Sequence, residues 1–124
     1  MAQQISESEL VLMKIIWKKG GTALYSLIIE ELEKDKNEWK NNTVLTLLSR
    51  LGEKKFLKVK KIGRKNEYVA TLTEAEYQNM QTHRFLDKVY SGNVKNLVST
   101  LLRQDILLAD ELKEIESFWR KENE

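Results

Sequence analysis

Residues Trp39–Thr71 read WKNNTVLTLLSRLGEKKFLKVKKIGRKNEYVAT, a helical pattern that runs into two segments with strand character. Large apolar residues recur at i, i+3, i+4 and i+7 in the helical part: Val44, Leu47, Leu48 and Leu51. This spacing predicts an amphipathic helix with one buried stripe. The opposite face is short, polar and poor in carboxylates. It suits a helix that lies against a negatively charged, hydrogen-bonding partner such as the major groove of DNA.

A basic β-hairpin is predicted to follow this helix. Phe56–Ile62 alternates in character, Glu67–Leu72 can pair back on it, and Gly63–Asn66 supplies the turn. Residues 50–65 hold eight Lys or Arg side chains and one carboxylate, which gives this window a net charge of +7. A recognition-type helix that runs into a basic hairpin predicts a winged helix-turn-helix. The alternative is a cationic surface without a partner, because lysine-rich edge strands also prevent aggregation.

Side chains from both segments are predicted to contact DNA. On the recognition helix they are Asn41, Asn42, Thr43, Leu45, Thr46 and Arg50. At the wing they are Lys61, Arg64 and Lys65, which are expected to contact phosphates. Arg50 is also expected to contact phosphate rather than to read a base, because it stands near the end of its helix. Leu45 either touches a thymine methyl group or is a partly buried spacer.

Composition predicts a soluble, folded protein. The 124 residues suffice for one domain or two small modules, and 41% of them are apolar and 32% charged. No apolar run approaches the roughly 20 residues that a membrane span needs, and the first residues lack the pattern of a signal peptide. Cysteine is absent, which excludes disulfides and thiolate metal sites and agrees with a cytoplasmic location.

Charge is distributed unevenly along the chain. Residues 1–72 hold 14 basic and 9 acidic side chains, a net +5, whereas residues 73–124 hold 7 and 10, a net −3. The first part therefore carries the potential that attracts phosphate. We predict a mostly α-helical protein with two domains, a winged-helix DNA-binding domain at 1–72 and a helical dimerisation domain at 73–124.

Two more helices are predicted before the recognition helix. Ser6 and Glu9 form a capping box that opens the first. Its apolar stripe is expected to contain Leu10, Met13, Ile16 and Trp17, widened by Val11 and Ile15. Gly20-Gly21 ends it. Thr22 is expected to cap the second helix, which reaches Lys34.

Three helices are predicted in the second part, the first opened by a capping box of Thr73 and Glu76. Together they carry more large apolar residues than about 50 residues can bury alone. Burial against a second copy across a two-fold axis would solve this, and packing on the N-terminal module within one chain is the alternative. The residues expected at the dimer interface are Phe85, Val89, Leu97, Leu101, Leu112, Ile115 and Trp119.

Chemistry for catalysis is missing from the sequence. The one histidine, His83, has no partner for a triad and no cysteine for metal binding. There is no glycine-rich phosphate loop or HExxH pattern. The acidic residues of the last helix are expected to form a solvated face. We therefore expect no enzyme activity, no cofactor and no bound metal.

Three separated motifs resemble those of the penicillinase-repressor family of bacterial transcription repressors (the BlaI/MecI/CopY type). Glu9–Trp17 is similar to its E-x-x-V-M-x-x-I-W opening. Trp39 followed by Thr43–Leu51 is similar to its recognition helix, W-x-x-x-T-[IV]-x-T-x-[LI]-x-R-L. Phe85–Gly92 and Leu97-Val98 resemble its C-terminal motifs. The resemblance covers nearly the whole chain in order.

The resemblance implies an N-terminal winged helix, a C-terminal dimerisation region and repression by occupying palindromic operators, often of TACA…TGTA type. It implies target genes of antibiotic or stress response. In one branch a membrane sensor-peptidase system triggers cleavage at an Asn-Phe bond, and the matching position here reads Thr100-Leu101. The family often has Arg where Leu45 stands, and its copper-responsive branch has cysteines that this chain lacks.

A protein-binding module is the rival interpretation, because a winged helix does not by itself fix function. It predicts weak DNA binding that is independent of sequence. A homodimeric repressor predicts specific binding in the nanomolar range at physiological salt.

Overall fold

The computed structural model describes residues 4–123, which form six helices and one three-stranded antiparallel sheet. In chain order the elements are α1 (Glu7–Lys18), β1 (Thr22–Leu24), α2 (Tyr25–Lys34), α3 (Asn41–Glu53), β2 (Leu57–Ile62), β3 (Lys65–Ala70), α4 (Glu74–Tyr90), α5 (Val94–Arg103) and α6 (Ala109–Glu122). The predicted fold class is confirmed: the protein is mostly α-helical and its first part is a winged helix.

The first helix begins at the predicted capping box. The Glu9 amide donates to the Ser6 hydroxyl at 3.1 Å, and the Ser6 amide donates to the Glu9 carboxylate at 2.8 Å. The predicted stripe of α1 is wrong in detail, since Val11 is exposed. The side chains of α1 that are buried are Glu9, Leu12, Met13, Ile15 and Ile16. Met13, Ile15 and Ile16 are buried as predicted, whereas Leu12 was not predicted and the buried Glu9 was predicted only as part of the capping box.

Residue Thr22 does not cap α2, contrary to prediction. It begins β1, and α2 has Leu24 as its N-cap without a side-chain hydrogen bond. Strand β1 pairs with β3 in the register Thr22 to Val69 and Leu24 to Glu67. The sheet order is β1-β3-β2, so the base of the wing is joined to the start of α2.

The wing is a hairpin with a tighter turn than the sequence predicted. Lys65 and Asn66 belong to β3, where they pair with Ile62 and Lys61, so only Gly63 and Arg64 connect the strands. Gly63 has φ +63°, and Arg64 is not among the residues with positive φ. A two-residue loop with glycine at its first position is the hairpin connection that matches strand twist.

The core belongs to the first of two compact units, Met1–Gln78. The predicted stripe of α3 is confirmed, because Val44, Leu47, Leu48 and Leu51 are all buried. They pack with the apolar side of α1, with Ile28 and Leu32 of α2, and with Phe56, Leu57 and Tyr68 of the hairpin. Full burial of one such side chain stabilises the fold by about 1.5–3 kcal/mol relative to exposure. This packing fixes which face of α3 is turned to solvent.

The second unit, Asn79–Glu124, contains most of α4 and all of α5 and α6. None of its described residues, 79–123, is buried. The predicted capping box at the start of α4 is present, because the Thr73 amide donates to Glu76 at 2.8 Å and the Glu76 amide to the Thr73 hydroxyl at 3.0 Å. The domain limits at 72 and 73 stay a prediction.

Candidate nucleic-acid interface

The solvent face of α3 is a ridge of short polar side chains. Its exposed residues are Asn41, Asn42, Thr43, Leu45, Thr46, Ser49, Arg50 and Glu53. All six helical residues predicted to contact DNA are among them. Leu45 is 44% exposed, so it is available for an apolar contact. We call this face the α3 ridge.

Two hydrogen bonds determine which donors and acceptors of the α3 ridge remain available to a ligand. The Tyr25 hydroxyl donates to Asn41 Oδ1 at 3.2 Å, and the Thr46 hydroxyl donates to the Asn42 carbonyl at 2.8 Å. The amide nitrogen of Asn41 can still donate, and the Thr46 oxygen can still accept. Burial raises the pKa of Tyr25, and the neighbouring Tyr68 raises it further. The phenol therefore remains a proton donor at neutral pH.

A buried ion pair holds the end of α3 against the start of α1. Lys54, the C-cap of α3, donates to Glu9 Oε1 at 2.6 Å and to the Gln4 carbonyl at 2.9 Å. Glu9 is 1% exposed, and the Lys54 side chain is 22% exposed. Burial raises the pKa of Glu9, but the hydrogen bonds from Lys54 and Ser6 outweigh it and leave that pKa below its ordinary value. Lys54 is therefore neutralised inside the chain and is not one of the cations available to a ligand.

A second group of cations is neutralised on α1 and α2. Glu31 is buried and accepts ion pairs from Lys18 at 3.1 Å, Lys19 at 3.4 Å and Lys34 at 3.2 Å. The hydrogen bond from Lys18, and next the one from Lys34, lower the pKa of Glu31 to about 2. This cluster was not predicted from the sequence. The two buried carboxylates together pair with four lysines of the first unit, and none of the four belongs to the wing.

The wing carries its cations on both faces and at its tip. Side chains alternate along a strand, so Lys61 shares a face with Leu57 and Val59, whereas Lys58 and Lys60 are on the other face. All three predicted wing contacts are exposed: Lys61, Arg64 and Lys65. None of them takes part in an ion pair with a residue of the described range 4–123. These three side chains can therefore neutralise an external anion.

A cavity of about 330 Å³ lies between the start of α2, the α3 ridge and the wing. Leu24–Ser26, Leu45, Arg64–Asn66 and Tyr68 line it. The side-chain oxygen of Asn66, one of these lining residues, is buried and has no hydrogen-bond partner within the part of the chain that the structure describes. This cavity could not be predicted from the sequence because its walls come from three separate segments.

The residues predicted at the dimer interface are apolar side chains of α4, α5 and α6 that are exposed or half-buried. Phe85 is 48% exposed and Trp119 is 66% exposed, and Val89 and Ile115 are exposed as well. The other three are half-buried: Leu97, Leu101 and Leu112. Further exposed apolar side chains in this part of the chain are Met80, Val94, Ile106, Leu108 and Phe118. The second unit thus presents a large apolar surface that its own residues do not cover.

The remaining predicted positions are also on helices of the C-terminal part. Thr100 and Leu101 are half-buried within α5, and the Thr100 hydroxyl donates to the Asn96 carbonyl at 3.0 Å. His83 is exposed on α4. Within residues 4–123, no group of His, Cys, Asp or Glu side chains is placed to hold a metal ion. No helix among these residues is long and apolar enough to cross a membrane.

Comparison with known proteins finds relatives along nearly the whole chain. A family model described as penicillinase repressor matches residues 5–121. The penicillinase repressor of Bacillus licheniformis is 35% identical over 112 residues, which span 90% of this chain and 86% of that protein. The methicillin resistance regulatory protein MecI of Staphylococcus aureus (strain N315) is 31% identical over 118 residues, spanning 95% of this chain and 94% of MecI.

A solved structure is similar to part of the chain. It is the solution structure of the DNA binding domain of the repressor BlaI, which is 36% identical with a TM-score of 0.54. The match covers 62% of this chain and 92% of that domain.

Proposed function

Because the chain belongs to the penicillinase repressor family, we propose that it is a DNA-binding transcriptional repressor. The observation that carries this proposal is the juxtaposition of the α3 ridge with wing cations that have no internal counter-ion. The similarity of the fold to the DNA binding domain of a repressor supports the same use of this surface. A repressor acts on chromosomal DNA, so we place the protein in the cytoplasm.

The α3 ridge enters the major groove in this proposal. Asn42, Thr43 and Thr46 contact base edges, because amide and hydroxyl groups match the donors and acceptors displayed there. Leu45 contacts a thymine methyl group. Asn41, held by Tyr25 at the start of α3, donates to the DNA from its amide nitrogen. Arg50, in the last turn of the helix, contacts a phosphate.

The wing contributes affinity rather than selectivity. Lys61, Arg64 and Lys65 contact phosphates, and their binding releases condensed counter-ions from the duplex. The affinity should therefore fall steeply with salt, with each lost phosphate contact lowering the slope of log K against log salt concentration by about one.

Two copies bind one operator in the proposal. The uncovered apolar surface of α4–α6 supports a homodimer, and a two-fold dimer matches a palindromic site with two half-sites. The target genes we propose are those of an antibiotic or other stress response, in accord with the names of the relatives.

Relief of repression by a membrane sensor-peptidase system stays a prediction. The matching bond, Thr100-Leu101, lies inside helix α5 and both residues are half-buried. Proteolysis favours exposed loops, so cleavage there would require local unfolding of α5.

Mobility-shift titration on the chain's own promoter and on a scrambled duplex tests the proposal. Thr43→Ala and Thr46→Ala should weaken operator binding about tenfold and scrambled binding little, because each loses a base contact. Lys65→Gln should weaken both alike. Lys14→Gln, which removes an exposed α1 cation away from this surface, is the control.

Equal losses on both duplexes for the threonine variants would contradict base readout by α3. Weak binding of the unaltered chain to its promoter, with no preference over the scrambled duplex, would favour the protein-binding module instead.

A further inference from the structure

We infer that the cavity between α2, α3 and the wing binds a small organic anion that carries a hydrogen-bond donor and an apolar body. The ligand occupies the mouth of the DNA-binding surface and so lowers DNA affinity. This second step rests on the proposed function, whereas binding of the anion does not.

The cavity has the size and walls of a small-molecule site. Its volume of about 330 Å³ is near the lower end of the range of ligand pockets, roughly 300–1,000 Å³. Leu24, Leu45 and Tyr68 supply an apolar lining. Tyr68 is buried, and Leu45 extends from the α3 ridge. A ligand of about a dozen non-hydrogen atoms with an apolar body fits these dimensions.

The charge of the cavity selects an anion. Arg64 and Lys65 line it at the tip of the wing, and no carboxylate of the described residues lines it. The Ser26 hydroxyl also lines it and can donate a hydrogen bond. Arginine and lysine attract a carboxylate through charge-assisted hydrogen bonds.

The unpartnered oxygen of Asn66 specifies the ligand further. A buried acceptor without a donor is unfavourable, and a ligand N–H or O–H in the cavity restores the missing hydrogen bond once the Asn66 side chain turns towards it. A DNA phosphate offers acceptors only, so the backbone of a duplex cannot supply this donor. This oxygen favours a small molecule over the phosphate backbone of DNA as the occupant.

Occupancy of the cavity affects the residues proposed to hold DNA. The anion would neutralise Arg64 and Lys65, and its apolar body would cover Leu45. A ligand that excludes DNA raises the apparent dissociation constant of the DNA complex by the factor 1 + [ligand]/Kd.

Titration of N-acetyl-leucine into the 15N-labelled full chain, followed by NMR, tests the site without DNA. This probe combines a carboxylate, an N–H donor and a branched apolar side chain. Saturable shifts should cluster at Ser26, Leu45 and Asn66, with a dissociation constant on the order of 1 mM for a ligand of this size. Absence of clustered shifts up to about 20 mM, twentyfold above that value, would overturn the inference.

Two matched probes separate the contributions of charge and donor. The methyl ester of N-acetyl-leucine lacks the anion and should bind about tenfold more weakly. N-acetyl-N-methyl-leucine lacks the N–H and should bind about fivefold more weakly, as expected for one lost hydrogen bond. Equal binding of all three probes would show nonspecific apolar association and would contradict the site.

Variants assign the binding to the cavity. Asn66→Ala and Lys65→Gln should each weaken N-acetyl-leucine binding about threefold to fivefold, and Lys14→Gln should leave it unchanged. The spectrum of each variant reports whether it is folded, and Lys65→Gln provides the test if Asn66→Ala does not fold. Unchanged affinity in a folded Lys65→Gln would overturn the assignment.

Competition completes the experiment. At about 10 mM N-acetyl-leucine, with sodium acetate in the reference to match ionic strength, the apparent dissociation constant for operator DNA should rise about tenfold. If the operator shifts the Asn66 side-chain signals and N-acetyl-leucine does not, the cavity is part of the DNA interface and the inference is wrong. DNA binding without the probe tests the proposed function independently.

Discussion

The carboxylate of Glu9 stabilises two helices at once. It accepts from the Ser6 amide at the start of α1 and from Lys54 at the end of α3. Because Glu9 is buried, its negative charge is stable there only while Lys54 stays in place. The orientation of the α3 ridge therefore depends on a residue that does not belong to it.

Replacement Glu9→Gln should lower the free energy of unfolding by about 1–2 kcal/mol, the difference between a charge-assisted and a neutral hydrogen bond. Urea denaturation at neutral pH measures this loss. Glu7→Gln, an exposed first-turn residue of the same helix, should change stability by less than about 0.5 kcal/mol. Equal effects of the two substitutions would show that the pair with Lys54 contributes nothing specific.

Acid should weaken the fold through Glu31. Its pKa is about 2 in the folded chain, below the ordinary 4.5, so the unfolded chain binds the proton first as pH falls. The stabilisation is thus present above pH 4.5 and lost as pH falls towards 2. Urea midpoints from about pH 6 down to about pH 2 should fall less for Glu31→Gln than for the unaltered chain.

The neighbouring substitution Glu30→Gln is the control for this pH dependence. Glu30 pairs with Lys34 at 3.7 Å but is exposed, so this variant should keep the pH profile of the unaltered chain. Parallel profiles for all three proteins would rule out Glu31 as the source of acid sensitivity.

These two buried carboxylates mark the limit of prediction from sequence at the residue scale. Glu9 was recognised as half of a capping box because its partner is three residues away. Lys54 is 45 residues from it, and no local pattern joins the two. From the sequence alone, Glu31 is expected to be an exposed charge on a helix. Only the folded chain brings the lysines at the end of α1 beside it.

At the scale of elements, the wing depends on one backbone conformation. Gly63 has φ +63°, a region that disfavours side chains with a Cβ atom. Gly63→Ala should therefore destabilise the protein by about 1 kcal/mol. Gly52→Ala is the matched comparison within helix α3, where a new Cβ would meet nothing within 4 Å. It should stabilise by about 0.5–1 kcal/mol, and the two changes are measured by thermal unfolding.

Effects of the same sign for both glycine variants would contradict this account of the turn. The comparison is sharp because the same chemical change, one added methyl group, is expected to act in opposite directions.

Elements with their own local signals were predictable from the sequence. Capping boxes fixed the starts of α1 and α4, and 3.6-residue periodicity fixed the buried face of α3. Strand β1 was missed because three residues carry no periodicity, and its pairing with β3 joins positions more than 40 residues apart. The contacts to DNA predicted for the α3 ridge and the wing stay predictions.

At the scale of the whole molecule, the apolar residues of α4–α6 favour association. The full chain should sediment with a mass of about 29 kDa, twice the 14.6 kDa of one copy. Ile115→Asp places a charge on exposed apolar surface of α6 and should shift the protein to monomers at micromolar concentration. Glu114→Gln, an adjacent exposed position, should remain dimeric.

A monomeric mass for the unaltered chain at high micromolar concentration would contradict the proposed dimer. It would also require another explanation for the apolar side chains of the second unit. Circular dichroism of Ile115→Asp should show unchanged helix content, which separates loss of association from loss of folding.

Strand β1 has a consequence for the speed of target search. Strand β1 pairs with β3 at the base of the wing and ends at Leu24, directly before α2. Tyr25, the first residue of α2, donates a hydrogen bond to Asn41 at the start of α3. Wing and recognition helix thus meet a duplex already in their final mutual arrangement, so little conformational entropy is lost on encounter. Association on nonspecific DNA can then be governed by diffusion and electrostatic attraction, and selectivity should reside in how long the complex lasts.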